Sequence, residues 1–265
     1  MADKDDTDEK LRRKSLKETS EFAKRIEHVL HHVIEQNPSE PGGTAYTKLE
    51  SVRGSSRCVI TNIDENGIEL YAENDQQEHS AILILQYNYR CSCPALDAPL
   101  QVDDSSITIS TFRSHTPIFH YDYLRDPSGD IPSAHINVHA SNDDAVRVML
   151  ACGIKNRGRE RRRKFLKEGF FPTFSSLHFP VGGSKFRPCL EDVLQMLVYE
   201  FGIATQPGWQ SAIDEGRASY RELQLRAMIR DNPQIAASQL EKMGLTISGK
   251  EKIADTSDRA SLRKF

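Results

Sequence analysis

Apolar positions recur every three to four residues between Leu11 and Ile34, with Phe22, Ile26, Val29, Leu30 and Val33 on one stripe. That period predicts an amphipathic helix over 11–36. Pro38 stops it, and Pro41-Gly42-Gly43 reads as a linker. From about 45 to 140 the period shortens to two, which predicts strands. The segments 58–63 and 68–71 flank Asp64-Glu65-Asn66-Gly67, a hairpin signal. Further strands are predicted over 81–89, 106–112, 118–123 and 134–139. After Ser141 the helical period returns. It predicts a short helix over 143–152 and an amphipathic helix over 188–201 closed by Gly202. A longer helix over 207–230 and a short one over 233–243 follow, while 177–187 reads as strand or loop.

Consecutive strands with short links favour an antiparallel sheet. The predicted fold is therefore α+β: an N-terminal helix, a sheet over 45–140, and a C-terminal helical layer over 142–244 on one sheet face. One domain is expected over 11–248, between a charged, disordered start (1–10) and a flexible tail (249–265).

Composition narrows the classes. A chain of 265 residues can bury a sizeable core. A formal net charge of −3 leaves no global positive field for nucleic acid, so any steering must come from a local patch. The N-terminus lacks the pattern of a signal peptide, and the longest apolar run, Ala81 to Leu85, is far too short to cross a membrane. Five scattered cysteines fit a reducing cytoplasm better than a disulfide framework.

The candidate chemistry lies on the last two predicted strands. Alternation puts Phe119, Tyr121, Tyr123, Ala134, Ile136 and Val138 on one face and His120, Asp122, His135, Asn137 and His139 on the other. A turn centred near Ser128 sets Asp122 across from His135 and His120 across from Asn137. Asp122 would then orient an imidazole, and His135 or His139 would serve as base with His120 as partner acid. Imidazoles titrate near neutral pH, which suits that work. The alternative is a solvated strand face, or one packed under later helices with its polar groups satisfied. His135 and His139 stand roughly 13 Å apart along a strand, too far to share one metal, and a metal hydrolase would need a cross-strand pair such as His120 with Asp122 or His135. The leading expectation is a site with no metal and no cofactor.

A second group precedes the 188–201 helix. His178, Gly182, Gly183, Lys185 and Arg187 lead into its start, where free N–H groups favour anions. Lys185 and Arg187 would clamp a phosphate beside the histidine face, with Asn137 and His178 adding contacts. The P-loop spacing is absent, and an ordinary turn with Glu191 and Asp192 complementing the helix dipole is the competing reading. Cys189 would act as a nucleophile only with a paired histidine. Lys155 to Lys167 is densely basic, and Arg157, Arg159, Arg161, Arg162, Arg163 and Lys164 are candidates for contact with a phosphate backbone or for plain solvation.

The block running from His120-Tyr121-Asp122 through His135-x-x-x-His139 to Leu177-His178-Phe179-Pro180-Val181-Gly182-Gly183, then Phe186-Arg187-Pro188-Cys189-Leu190-Glu191-Asp192-Val193-Leu194, resembles that of a group of uncharacterised bacterial proteins of similar size. More loosely it resembles TumE-like toxins of toxin–antitoxin pairs, in which a Tyr-Asp strand precedes a histidine cluster and a closing helix. Tyr121, Asp122, His135 and His139 fall at the matching positions. The expected function is metal-independent, RNase-like phosphodiester cleavage, in a cytoplasmic toxin or phage-defence component. The alternative is a non-enzymatic partner that binds nucleic acid or a small antitoxin-like protein.

Overall fold

Alternating residues between 45 and 140 do build one sheet. The computed structural model describes residues 2–35, 45–73, 79–128, 131–141, 143–151, 156–182 and 186–249. The strands are β1 (Thr47–Ser51), β2 (Arg57–Asn62), β3 (Ile68–Glu73), β4 (His79–Ser92), β5 (Gln101–Thr111), β6 (Pro117–Leu124), β7 (Ala134–Val138) and β8 (Phe179–Gly182). They form an eight-stranded sheet in the order β1-β2-β4-β5-β6-β7-β8, with β3 also on β4. The pairings are antiparallel.

The hairpin expected at 64–67 is not one. β2 and β3 run in the same direction and pair end to end with the same edge of β4, Thr61 opposite Asn88 and Ile68 opposite Leu85. The intervening turn loops out of an otherwise continuous edge. Asn62 patches the ladder there: its Oδ1 accepts the Tyr87 N–H at 2.8 Å and its Nδ2 donates to the Leu85 carbonyl at 3.4 Å. Gly67 closes the turn at φ 98°, where a Cβ would stand 2.6 Å from Gln86 Cγ and 2.8 Å from the Leu85 carbonyl. These turn residues interrupt an edge rather than reverse the chain.

One sheet face carries the core. Leu85, Tyr87, Tyr89, Ile107 and Ile109 are buried, with Phe119 and Tyr121 packed beside them. Helices α1 (Ala2–Val33), α4 (Leu190–Phe201) and α5 (Trp209–Asp231) supply Leu30, Val33, Leu194, Leu197 and Ile213, none with exposed surface. Gly202 ends α4 at φ 64°, as its position suggests, and α6 (Pro233–Lys242) follows α5. Helix α1 begins well before 11. The charged first residues, expected to be disordered, are its opening turns, with i,i+4 pairs Lys10–Asp6 and Arg13–Glu9 along its exposed side.

The other face carries His120 and Asp122 on β6 and His135 and Asn137 on β7. Near β7 it is met by a 3-10 turn (Phe174–Ser176), to which Arg161 of α3 (Asn156–Glu168) donates through the Ser176 carbonyl at 3.2 Å. Met149 of α2 (Asp143–Ala151) lies 3.9 Å from the Ser176 hydroxyl. Among the described residues, no helix is long and apolar enough to cross a membrane. The proposed linker at 41–43 and the tail from 250 lie outside the described residues.

Candidate functional site

Register is what assembles this site. β6 and β7 pair with Asp122 opposite His135 and His120 opposite Asn137, as their alternation predicts. Side chains at such positions share a face with Cβ atoms roughly 4.5–5.5 Å apart.

Three of these groups form a chain. Asp122 Oδ2 lies 3.3 Å from His120 Nε2, and His120 Nδ1 lies 3.0 Å from Nε2 of His139. His139 sits just past β7, fixed by its backbone N–H donating to the Ile118 carbonyl at 2.8 Å. With all rings neutral only one proton order satisfies both contacts. His120 donates from Nε2 to the carboxylate and accepts on Nδ1 from His139, which leaves the His139 Nδ1 lone pair at the outer end.

Local electrostatics hold that order. Burial works against the Asp122 carboxylate, but hydrogen bonds from His120 and Ser106 and the neighbouring imidazoles outweigh it and keep its carboxyl below the usual range. Burial, with an electrostatic contribution from the neighbouring His120 ring, pushes the His139 ring below its ordinary value, which favours the neutral form. Ser106 faces Asp122 from β5. Sequence reasoning missed it, although its alternation with Thr108 and Asp104 placed it on the polar face.

His135 has a different setting. Its side chain is 2% exposed, against 23% for His120. Its Nδ1 faces the Pro132 carbonyl at 2.9 Å and so carries a proton. Its Nε2 is 3.7 Å from Asp122, beyond a hydrogen bond, and its ring meets the His178 ring edge-on with centroids 4.5 Å apart. Asn137 is equally enclosed. Its Nδ2 donates to the carbonyls of Ser175 at 2.7 Å and Leu177 at 2.9 Å, clipping the 3-10 turn onto β7, and His178 Nδ1 is 3.5 Å away. Asn137 Oδ1 is buried without a hydrogen-bond partner among the described residues.

The second constellation divides. His178 joins the histidine face. Arg187 does not: its guanidinium lies 5.6 Å from the Tyr89 ring centroid and 5.9 Å from that of Tyr123, both on the core face. The expected clamp of Arg187 beside the histidines is thereby corrected. The sheet separates them: His178, just before β8, lies against His135 on the histidine side, whereas Arg187, just before α4, lies on the helical side. Lys185 and Gly183 lie outside the described residues. Cys189 is buried on the helical side, and burial together with the nearby Glu191 pushes its thiol pKa up, away from nucleophilic use.

The basic segment is helix α3. Arg161 is half-buried against the 3-10 turn, Arg163 pairs with Glu168 at 2.9 Å, and Lys164 pairs with Glu160 at 3.2 Å. Arg159 and Arg162 are exposed and make no ion pair among the described residues. The Arg157 side chain lies outside what is described. Among the described residues no cluster of three His, Cys, Asp or Glu side chains is arranged to hold a metal.

No protein-family model, no curated protein and no solved structure matches this chain.

Proposed function

We propose that this protein cleaves RNA phosphodiester bonds without a metal ion, using His139 as general base and the Asp122–His120 pair to hold it. The supporting observation is the continuous Asp122–His120–His139 chain, with a partly accessible imidazole at its end whose pKa burial lowers. RNA carries its own nucleophile. His139 Nδ1 takes the 2′-OH proton, the 2′ oxygen attacks phosphorus, the P–O5′ bond breaks, and a 2′,3′-cyclic phosphate forms. His178 stands next to Asn137 on the neighbouring strand row, roughly 10 Å from His120 by strand spacing, and returns a proton to the departing 5′ oxygen. His120, expected as the acid, has both ring nitrogens engaged and acts as the relay. His135 is a support for His178 and Asp122 rather than the base. Arg159 and Arg162 of α3 give the local positive charge that a phosphate backbone needs in a chain of net negative charge. On this reading the protein works in the cytoplasm, as a toxin or phage-defence component.

A second reading draws on a different surface. Leu225 and Ile229 of α5, Ile235 of α6 and the following Met243 are more than half exposed. Such an apolar strip suits a protein partner, such as a small antitoxin-like chain.

The experiment is cleavage of a fluorescent RNA oligonucleotide in the presence of a chelator. The wild-type chain is expected to release a 2′,3′-cyclic phosphate product, and His139→Ala and Asp122→Asn to lose that activity while remaining folded. Cleavage undiminished in His139→Ala, or no cleavage by the wild-type chain, sinks the catalytic reading and leaves the partner surface.

A further inference from the structure

The helical side of the sheet holds a groove of roughly 1090 Å³ between α1 and α5, floored by β4 and β6. Arg187 is on its floor. Three tyrosine rings surround the guanidinium, with centroids at 5.6 Å (Tyr89), 5.9 Å (Tyr123) and 5.1 Å (Tyr220). The Tyr220 hydroxyl donates to the Arg187 carbonyl, which ties this residue's backbone to α5. Guanidinium is ionised at any ordinary pH and carries five N–H donors. Among the described residues those donors meet no acceptor within hydrogen-bond distance, and no carboxylate lies within ion-pair distance. Ring faces compensate a cation only in part, and they accept no in-plane hydrogen bond. A half-buried guanidinium fixed by ring faces, with its donors not engaged by protein acceptors, has the chemistry to grip an anion in fork geometry.

The walls point the same way. Lysine and arginine outnumber aspartate and glutamate around the groove by nine to five, in a chain whose net charge is −3. Ion pairs engage both signs there: Glu18 pairs with Lys14 at 3.4 Å and accepts the Leu100 N–H at 2.8 Å, Asp231 pairs with Arg230, and Arg13, Arg125 and Arg226 pair with Glu9, Asp103 and Glu222. Lys17, Lys24 and Arg25 of α1 make no ion pair among the described residues. One fixed guanidinium with further cations on the rim suits a dianion better than a single carboxylate. The volume is slightly above the range of small-molecule sites, which run to about 1,000 Å³.

We propose that this groove binds a small organic phosphate monoester of nucleotide size, with Arg187 gripping the phosphate and Lys17 and Arg25 closing on it from α1. The site is on the opposite side of the sheet from His139 and is independent of the cleavage reading.

Calorimetric titration of the full chain at constant ionic strength tests it, with AMP, inorganic phosphate, adenosine and acetate as probes. AMP is expected to bind saturably, inorganic phosphate to compete with it, and adenosine and acetate to bind at least 10-fold more weakly. Arg187→Met keeps an apolar stem against the tyrosines and should weaken AMP at least 10-fold. Lys17→Gln combined with Arg25→Gln changes only rim positions and should weaken it several-fold. If Arg187→Met fails to fold, the rim pair decides. Absence of saturable AMP or phosphate binding to the wild-type chain overturns the proposal. So does undiminished AMP affinity in the rim pair, or acetate binding as tight as phosphate. AMP affinity lost in His139→Ala but kept in Arg187→Met places the anion on the other face and equally overturns it.

Discussion

The two faces of this sheet share the same strands and use them in opposite ways. On the helical face Leu85, Tyr87, Ile107 and Ile109 are sealed under α1, α4 and α5, and stability is the product. On the other face His120, Asp122 and His139 keep about a quarter of their surface or remain partly accessible, and contact each other through polar atoms. Even arginine follows this division. Arg187 on the helical side is held by ring faces, whereas Arg161 on the histidine side is held by a carbonyl. The lesson is that strand parity assigns each residue to a chemistry, and one step along the chain from Tyr121 to Asp122 exchanges packing against the core for polar contacts.

The sharpest way to break this division is to exchange its consequences. His139→Ala is expected to lower RNA cleavage about 10²–10⁴-fold, the usual share of a general base, with the unfolding midpoint in urea nearly unchanged. Leu197→Ala, at a position with no exposed surface in α4, is expected to cost about 2–5 kcal/mol of stability while the molecules still folded cleave RNA at the wild-type rate. Loss of activity in the leucine variant at temperatures where it remains folded would show that the faces are coupled. A large loss of stability in His139→Ala would show that the histidine face is structural.

Asn62 sharpens the comparison at a smaller scale. Its side chain supplies the hydrogen bonds missing where β2 gives way to β3, and the group it satisfies is the N–H of the buried Tyr87. Asn62→Ala should cost about 1–3 kcal/mol, the penalty of leaving a buried donor unpaired. Hydrogen exchange should locate the effect at Tyr87. No change in exchange there would mean that the Asn62 amide is dispensable.

How far these arrangements were legible depended on what sets each one. The β6–β7 register followed from a period of two on both strands, because a slip of one residue would bury His120 and expose Tyr121. The amphipathic stripes of α1 and α4 were equally plain. Asp64-Glu65-Asn66-Gly67 misled, because turn residues describe only the local backbone, while pairing partners are decided by β4 far along the chain. Arg187 misled for a related reason. Its proximity to His178 in sequence says nothing about which side of the sheet the chain takes after β8. The His120–His139 contact follows from the same period: His139 is two residues beyond Asn137, the partner of His120, and its N–H continues the ladder onto the Ile118 carbonyl.

The smallest expected effect is the most specific to the histidine face. Burial and the electrostatic influence of the neighbouring His120 ring lower the His139 pKa, so its midpoint in an NMR titration should fall below about 6.5, the value of an unperturbed imidazole. A base must be neutral, and cleavage should therefore fall as pH drops through that lowered midpoint, with the acid limb below pH 6.5. The sign for stability agrees. Between the two midpoints the unfolded chain binds a proton that the native chain refuses, so this contribution is present above about pH 6.5 and is lost as pH falls toward the native midpoint. Asp122, whose carboxyl is depressed, remains ionised across that window and holds the relay in place. Replacing His120 with Asn removes one of the two causes and leaves burial, so the His139 midpoint should rise part of the way back toward 6.5. A wild-type midpoint above 6.5 would mean that His139 is stabilised as a cation by Asp122 through His120, which would make it the acid of the reaction and move the base to His178.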